Sequence, residues 1–491
     1  MTKWVTRGLM LSLLLFPAIT FFNTPIAGAE ELTPAQQDAV KKEVQRILRE
    51  QGYGGGMTQT DPPSTDLGRP ATSSGKRLEQ LSQPRDIGKK YDSSMEGSGR
   101  LIYARPFVAA PKAILGGYMD FEYVNREGGN PKFDLHRLVP FIYGDISNNV
   151  KFAAEIEIEH GGYNDGDPNP STASSTTQES EVKVEFAVID YLVNEPINLR
   201  AGIILLPLGK FNLLHDSPLR DLTDRPLVDQ RIIPTTLHQP GAGVYGTFYP
   251  TRLSQLNYEV YITSGFTRAF GGNGNPANPA GGLSNITNTN GLRSARDNST
   301  DFDNNAGKAV VGRMAFSPIL GVEFGGSGFF GTYDQNSKRP LAIWAVDWTL
   351  QRGPFELIGE SAWAYIRDNN INDVTGAIAP ASARLSRRMQ GYYVQLNYHF
   401  LPPILAKLAP SHFRPEVSTF TAVVRWEDMN LGQDLAATEA GARGEAQRLT
   451  FGLNFRPTED TVIKLDYQYE PEVLSSRTHG QAFLASAATY F

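Results

Sequence analysis

The sequence predicts an all-β fold, a transmembrane antiparallel β-barrel of about 16 strands preceded by a short N-terminal periplasmic helix. Runs of alternating apolar and charged residues fill most of the chain after Gly116. The connections between these runs alternate between short and long, which is typical of a closed barrel. The mean hydropathy of -0.31 argues against a bundle of transmembrane helices. A barrel meets no such objection, because only alternate residues face lipid.

Composition narrows the possible classes of function. The chain has 491 residues and no cysteine, which excludes a disulfide framework and thiolate metal sites. Without Lys3 and Arg7, which lie in a signal sequence, 44 of the 46 basic residues remain against 52 acidic residues, a net charge of -8. This mild acidity gives no support to a nucleic-acid partner. We expect none.

The first segment, residues 1–29, has the layout of a secretory signal peptide. Lys3 and Arg7 supply the positive region, and an apolar stretch runs from Leu9 to Phe22. Ala27 to Ala29 form a small-residue cleavage site. A true membrane anchor is the alternative. The signal peptide predicts an exported protein.

The second segment, residues 30–52, reads as a helix that begins after the N-cap Thr33 and ends at Gly52. Its apolar stripe has to be buried, either in a trimeric coiled coil or against the barrel rim. Residues 53–112 are rich in Gly, Ser, Pro and Thr and read as a flexible linker. The barrel is then predicted for residues 113–491.

Within the barrel, the stretch from Lys151 to His160 illustrates the strand pattern. Phe152, Ile156 and Ile158 alternate with glutamates, so one face is apolar and the other is charged. Sixteen such runs are centred near Phe121, Leu138, Glu155, Phe186, Ala201, Gly246, Tyr258, Gly312, Gly325, Ala345, Gly359, Val394, Phe420, Phe451, Asp466 and Ala485.

The connections carry the stronger signal. Residues 146–149, 195–196 and 352–353 are short turns, whereas 161–180, 207–240 and 265–306 are long. Short periplasmic turns and long outward loops alternate in this way in outer-membrane barrels. The segment 207–240 then falls in the third outward loop. We expect it to fold into the lumen and form a constriction, since a loop this long is usually functional.

The candidate functional residues follow from this placement. Opposite charges in a narrow section bias which ions pass; alternatively, they pair with one another and hold the loop to the wall. The predicted constriction comprises Lys210, His215, Asp216, Arg220, Asp221, Asp224, Arg225, Asp229 and Arg231. The predicted lumen charges are Glu155, Glu157, Glu159, Lys183, Glu185, Arg200 and Arg313.

Signals for catalysis are absent from the sequence. It has no phosphate-binding Gly-Lys-Ser/Thr loop and no HExxH motif. The seven histidines are scattered without ligand spacing. We therefore expect no enzyme activity, no cofactor and no metal site.

The segment AGIILLPLGKFN, the later RPLVDQRIIP and GAGVYG, the helix after the signal and the aromatic Phe491 together resemble the phosphate-selective porin O and P family. The resemblance implies a trimer of sixteen-stranded barrels. Phosphate-selective members carry an arginine ladder and a lysine cluster, which have no assigned counterparts in this sequence.

These observations predict a porin in the bacterial outer membrane that conducts small hydrophilic solutes or ions passively, as a homotrimer. One alternative is a substrate-selective channel for phosphate, polyphosphate or sugar. An alternative from another class is a secreted or surface β protein that binds glycan or a partner.

Overall fold

A computed structural model describes residues 108–109, 113–161, 181–266, 291–295, 306–333, 337–367, 386–434, 444–472 and 480–491. All of them belong to the unit Ser73–Phe491. The predicted signal peptide and helix, and all of the predicted linker except residues 108–109, lie outside the described residues.

The described part of the chain is dominated by β-strands. After the two-residue β1, Val108–Ala109, sixteen longer strands follow, and each contains one of the sixteen predicted centres. They are β2 Ala113–Arg126, β3 Lys132–Asp145, β4 Val150–Glu159, β5 Glu181–Leu192, β6 Asn198–Leu205, β7 His238–Phe248, β8 Gln255–Thr263, β9 Ala309–Ile319, β10 Val322–Thr332, β11 Pro340–Arg352, β12 Phe355–Ile366, β13 Arg388–Phe400, β14 Thr419–Asn430, β15 Glu445–Thr458, β16 Thr461–Glu472 and β17 Gly480–Tyr490. The short helices are α1, Leu227–Arg231, and α2, Pro403–Leu408, with a 3-10 turn at Arg293–Ala295.

The sixteen long strands close into a barrel. Each strand from β2 to β16 pairs antiparallel with the next one in the chain. The sheet closes where β17 pairs with β2, from Ala482 opposite Arg126 to Tyr490 opposite Tyr118. Among the described residues, closure leaves no long strand with unpaired backbone groups at an edge, which is what a sheet in hydrocarbon requires. The predicted fold class is confirmed.

The polarity of the barrel is the reverse of that of a water-soluble protein. On β16, the side chains of Lys464, Asp466 and Gln468 are at most 1% exposed. The alternate residues Ile463 and Leu465 are each 48% exposed. Because apolar side chains cover the outer surface and charged ones point inward, the outer surface suits lipid and the lumen suits water.

The phase of the connections agrees with the prediction. The long connections 160–180, 206–237, 264–308, 367–387 and 431–444 share one end of the barrel. Turns such as 146–149, 320–321 and 353–354 lie at the other end. Residues 401–418 also connect two strands at this end, β13 and β14, but they are longer and contain α2.

Aromatic side chains gather outside the barrel at the short-turn end. Phe420 stacks on Phe455 with ring centroids 4.5 Å apart, and Phe355 lies 5.0 Å from Tyr398. Such rings suit the interface between lipid and water. Tyr118, by contrast, is buried inside the barrel. No helix among the described residues has the length and apolarity needed to cross a membrane.

Candidate functional site

The candidate site is built on residues 206–237, which we call the lumen loop. It leaves β6 after Leu205 and returns to β7 at His238. Asn212 joins its two ends: the Asn212 amide nitrogen donates to the Leu206 and Leu237 carbonyls at 2.8 and 3.0 Å. The Leu237 amide donates to the Asn212 oxygen at 2.8 Å. This fully buried side-chain amide adds to the backbone hydrogen bond from the Leu206 amide to the Leu237 carbonyl at 2.9 Å.

The loop is first held to the wall at β10 and β12. Gly209 has a φ of 72°, and its amide donates to the Ser327 hydroxyl at 2.9 Å. The amides of Lys210 and Phe211 donate to one oxygen of Glu360 at 2.8 and 3.1 Å. A Cβ at Gly209 would lie 2.1 Å from the other Glu360 oxygen. Glycine is therefore required here for both its backbone conformation and its lack of a side chain.

The second attachment lies on β2, β16 and β17. The Ser217 hydroxyl donates to Asp120 at 2.5 Å, and the Tyr490 hydroxyl donates to Asp216 at 2.8 Å. Lys464 donates to the Ser217 carbonyl at 2.7 Å. These strands lie several strands away around the barrel from β10 and β12. The loop consequently crosses the lumen.

The third attachment holds residues 224–227 to β14 and β15. Arg448 donates to the Arg225 carbonyl at 2.6 Å and lies 3.3 Å from Asp224. The Leu227 amide donates to Glu427 at 2.8 Å, and Glu427 pairs with Arg448 at 2.5 Å. Burial alone would raise the pKa of Asp224, but the guanidiniums of Arg126 and Arg448 hold that pKa well below its ordinary value. Asp224 is therefore ionised at neutral pH.

Four other predicted constriction residues interact either within the lumen loop or with residues outside it. Arg220 donates to the Thr223 carbonyl at 2.6 Å, and Arg225 donates to the Thr235 carbonyl at 2.5 Å. The Arg231 carbonyl accepts from the Leu292 amide at 2.7 Å. Burial, with Glu360 nearby, raises the pKa of Asp229 well above its ordinary value.

The remaining predicted constriction residues contact the wall. Lys210 lies 3.1 Å from Glu323 and donates to Thr349 at 2.9 Å. Asp221 lies 3.4 Å from Arg456. His215, fully buried, lies 3.1 Å from Glu185. Asp216 and Asp224 also contact wall residues, as described above, so all five residues of this group are held by the barrel wall.

Most of the predicted lumen charges are also paired on the barrel wall. Arg137 bridges Glu157 at 2.5 Å and Glu159 at 2.8 Å. The other members of the set lie as follows: Lys183 is 2.8 Å from Glu157, Arg200 is 2.8 Å from Asp190, Arg313 contacts Asp347, and Glu155 is fully buried.

A cavity of about 270 Å³ remains between the lumen loop and the wall of β11–β14. The loop contributes Lys210, Arg220, Asp221 and Asp224 to its lining, among other residues. The wall contributes Trp348, Glu356, Tyr393 and Arg425, among others. Charges of both signs therefore face the same narrow space.

Sequence reasoning missed the wall residues that hold the loop, such as Asp120, Glu360, Glu427, Arg448 and Lys464. They occupy charged alternate positions on predicted strands, but strand phase does not tell which of them meets the loop. Asn212 gave no sequence signal that separates it from any other loop asparagine.

A closed barrel with an apolar exterior, a charged interior and an inward-folded loop defines the class of outer-membrane porins. Residues 113–354 match the model of the family "Phosphate-selective porin O and P". The chain is accordingly an outer-membrane porin, and over these residues it is similar to that family. It forms a water-filled passage for small hydrophilic solutes or ions.

The chain is also similar to individual proteins. It is 27% identical over 370 residues to an uncharacterized protein of Aquifex aeolicus (strain VF5), covering 72% of this chain and 75% of that one. The outer membrane channel DcaP of Acinetobacter baumannii is 11% identical, with 79% and 100% of the two chains covered and a TM-score of 0.47. An anion-selective porin from Comamonas acidovorans is 10% identical, with 77% and 99% covered and a TM-score of 0.43.

Proposed function

We propose that the lumen loop forms the selectivity-determining constriction of a passive channel with a modest preference for cations. Solutes pass the cavity between the loop and β11–β14, where the field of the surrounding charges acts at short range. The observation that carries the proposal is the charge balance of the interior. Among the buried charged side chains of the described residues, fourteen are Asp or Glu and eight are Lys or Arg.

This balance favours the general channel over a phosphate-selective one. An anion path needs a surplus of Lys and Arg, since it has to replace the hydration of a phosphate. Here most interior Arg side chains are engaged by carboxylates, as Arg313 is by Asp347 and Arg137 is by Glu157. A site for phosphate or polyphosphate would have to displace those carboxylates.

The test is the reversal potential in a planar bilayer across a tenfold KCl gradient. We expect the wild-type channel to give the sign of cation preference. Lys210→Gln removes a cation that lines the cavity and leaves the backbone contacts of Lys210 to Glu360 intact. It should shift the reversal potential further toward cations, because a positive charge no longer opposes them.

Lys151→Gln is the matched control, since Lys151 pairs with Asp145 beside a short turn and does not line the cavity. Its reversal potential should equal that of the wild type. An anion-selective wild-type channel, or a Lys210→Gln shift no larger than that of the control, contradicts the proposal. Neutralising Arg220, Arg225 and Arg231 together should also favour cations, but it removes side chains that brace the loop.

We further propose that the porin is a homotrimer with residues 30–52 as a periplasmic helix. The support is the family resemblance and the apolar stripe of that helix. Chemical cross-linking of the detergent-solubilised full chain should give a three-subunit species that survives until the barrel is heat-denatured. A chain that cross-links only as a monomer would exclude the trimer and leave the channel proposal untouched.

A further inference from the structure

Two histidines and two carboxylates from three neighbouring strands meet on the inner wall, near the long-loop end of the barrel. Glu122 lies on β2, Asp134 and His136 lie on β3, and His160 follows β4 directly. We call these four residues the β2–β4 cluster. None of them belongs to the lumen loop or lines its cavity.

The distances within the β2–β4 cluster are close to those between ligands of one metal ion. His136 Nδ1 lies 3.6 Å from Asp134 and 3.9 Å from Glu122. His160 Nδ1 lies 2.8 Å from one Asp134 oxygen and is hydrogen-bonded to the other at 2.9 Å, so a bound ion would replace this contact. One ligand atom from each of Asp134, His136 and His160 can be chosen so that all lie within 4.8 Å of one another. Two ligands of a tetrahedral zinc ion, each about 2.0–2.1 Å from it, are about 3.4 Å apart.

The cluster contains a polar atom that the protein leaves unsatisfied. His136 Nδ1 is buried and has no hydrogen-bond partner among the described residues. Both neighbouring carboxylates lie too far from it for a hydrogen bond but at a suitable distance for a shared ion. A buried unsatisfied nitrogen is costly, so a bound ion in this position would relieve that cost.

The backbone conformation of His160 also indicates that the cluster binds a ligand. Its φ of 52° lies in the left-handed region, which few residues other than glycine adopt. This conformation ends β4 while the His160 amide stays 3.4 Å from the His136 carbonyl. The two imidazole rings are thereby held with their centroids 5.6 Å apart. A strained conformation that brings two ligands together is a marker of function.

We propose that the β2–β4 cluster binds a first-row divalent metal ion of the zinc class. Asp134, His136 and His160 are the ligands, and Glu122 is the fourth. Imidazole nitrogen selects Zn²⁺, Co²⁺ or Ni²⁺ over Ca²⁺ and Mg²⁺, which prefer all-oxygen sites. The side chains of the two histidines are 22% and 14% exposed, so an ion can enter from the lumen.

Another candidate group of ligands, Glu155, Glu185 and His215, is a poorer site. His215 and Glu185 are fully buried under the lumen loop and already bonded to each other. Thr236 donates to the other Glu185 oxygen at 2.7 Å. An ion there would have to break contacts that hold the loop, whereas the β2–β4 cluster offers an unused nitrogen.

The experiment uses the full-length porin in detergent, prepared without a histidine tag and treated with a chelator. Titration with Co²⁺ should produce the visible absorption of a four- or five-coordinate site at one equivalent, and Zn²⁺ should abolish it. Ca²⁺ in large excess should leave it unchanged. His136→Gln and His160→Gln should each weaken Co²⁺ binding at least tenfold, as the loss of one ligand does.

His399→Gln is the matched control. His399 also lies near a carboxylate, 3.5 Å from Glu356, but belongs to none of the candidate ligand groups found among the described residues. Its Co²⁺ affinity should stay within twofold of the wild type. Heat-modifiable gel migration checks that each variant is folded. The proposal is overturned if no visible absorption develops, or if folded His136→Gln and His160→Gln variants bind Co²⁺ as the wild type does.

Discussion

Arg448→Met should loosen the lumen loop and raise the single-channel conductance by about twofold, because conductance follows the narrowest section of the path. Arg448 is the one side chain that contacts Asp224, the Arg225 carbonyl and Glu427 together. Breaking a buried ion pair from one side costs about 3–5 kcal/mol. The remaining cation near Glu427, Arg425 at 3.4 Å, offsets part of this.

The measurement is the conductance of single insertions in a planar bilayer, with the reversal potential recorded on the same channels. The double variant Glu427→Gln with Arg448→Met separates a loosened loop from a damaged barrel. It removes the unpaired carboxylate as well as the guanidinium, so it should recover part of the wild-type conductance. If Arg448→Met conducts as the wild type does, residues 224–227 do not limit the current.

Most of the barrel could be predicted from the sequence, because its physics is local and periodic. A strand with one face in lipid and the other in water must alternate, and β16 does so residue by residue. The alternation of short and long connections then fixes which end of each strand faces outward. The short turn predicted at 352–353 lies at 353–354, and the long segment predicted at 207–240 is the connection 206–237.

The site was predictable only in outline. Length and mixed charge identified the lumen loop, but its function depends on which wall residues it meets, and those contacts join distant parts of the chain. Asp224 meets Arg448, and Thr223 donates its amide to Asp466 at 2.6 Å. No sequence period encodes such a pairing. The interpretation of the loop charges as either selective or bracing could not be decided from the sequence either.

The β2–β4 cluster escaped sequence analysis for a related reason. His136 and His160 sit on different strands, and their separation in the chain matches no metal-binding motif. They meet because β3 and β4 are adjacent and antiparallel, with Arg137 opposite Glu159. Histidine spacing is informative on a helix or in a tight loop, whereas in a sheet the register decides which residues meet.

Asn212→Asp should release the base of the lumen loop. The free energy that holds the loop in place should fall by several kcal/mol, because each buried polar group left unsatisfied costs about 1–3 kcal/mol. The substitution keeps the volume of the side chain. It replaces the amide nitrogen that donates to the Leu206 and Leu237 carbonyls with an oxygen that cannot donate when ionised. Three acceptors would then face one another in a buried space.

Limited proteolysis of the folded porin in detergent should cut the variant within residues 206–237, where the wild type is protected. Asn257→Asp is the matched control: Asn257 is 3% exposed on β8, and its amide nitrogen has no hydrogen-bond partner among the described residues. Its oxygen accepts from Thr247 and Gln255, and an aspartate can still accept both. The control should leave the loop protected. Equal protection of the Asn212→Asp loop would mean that the wall attachments alone keep it in the lumen.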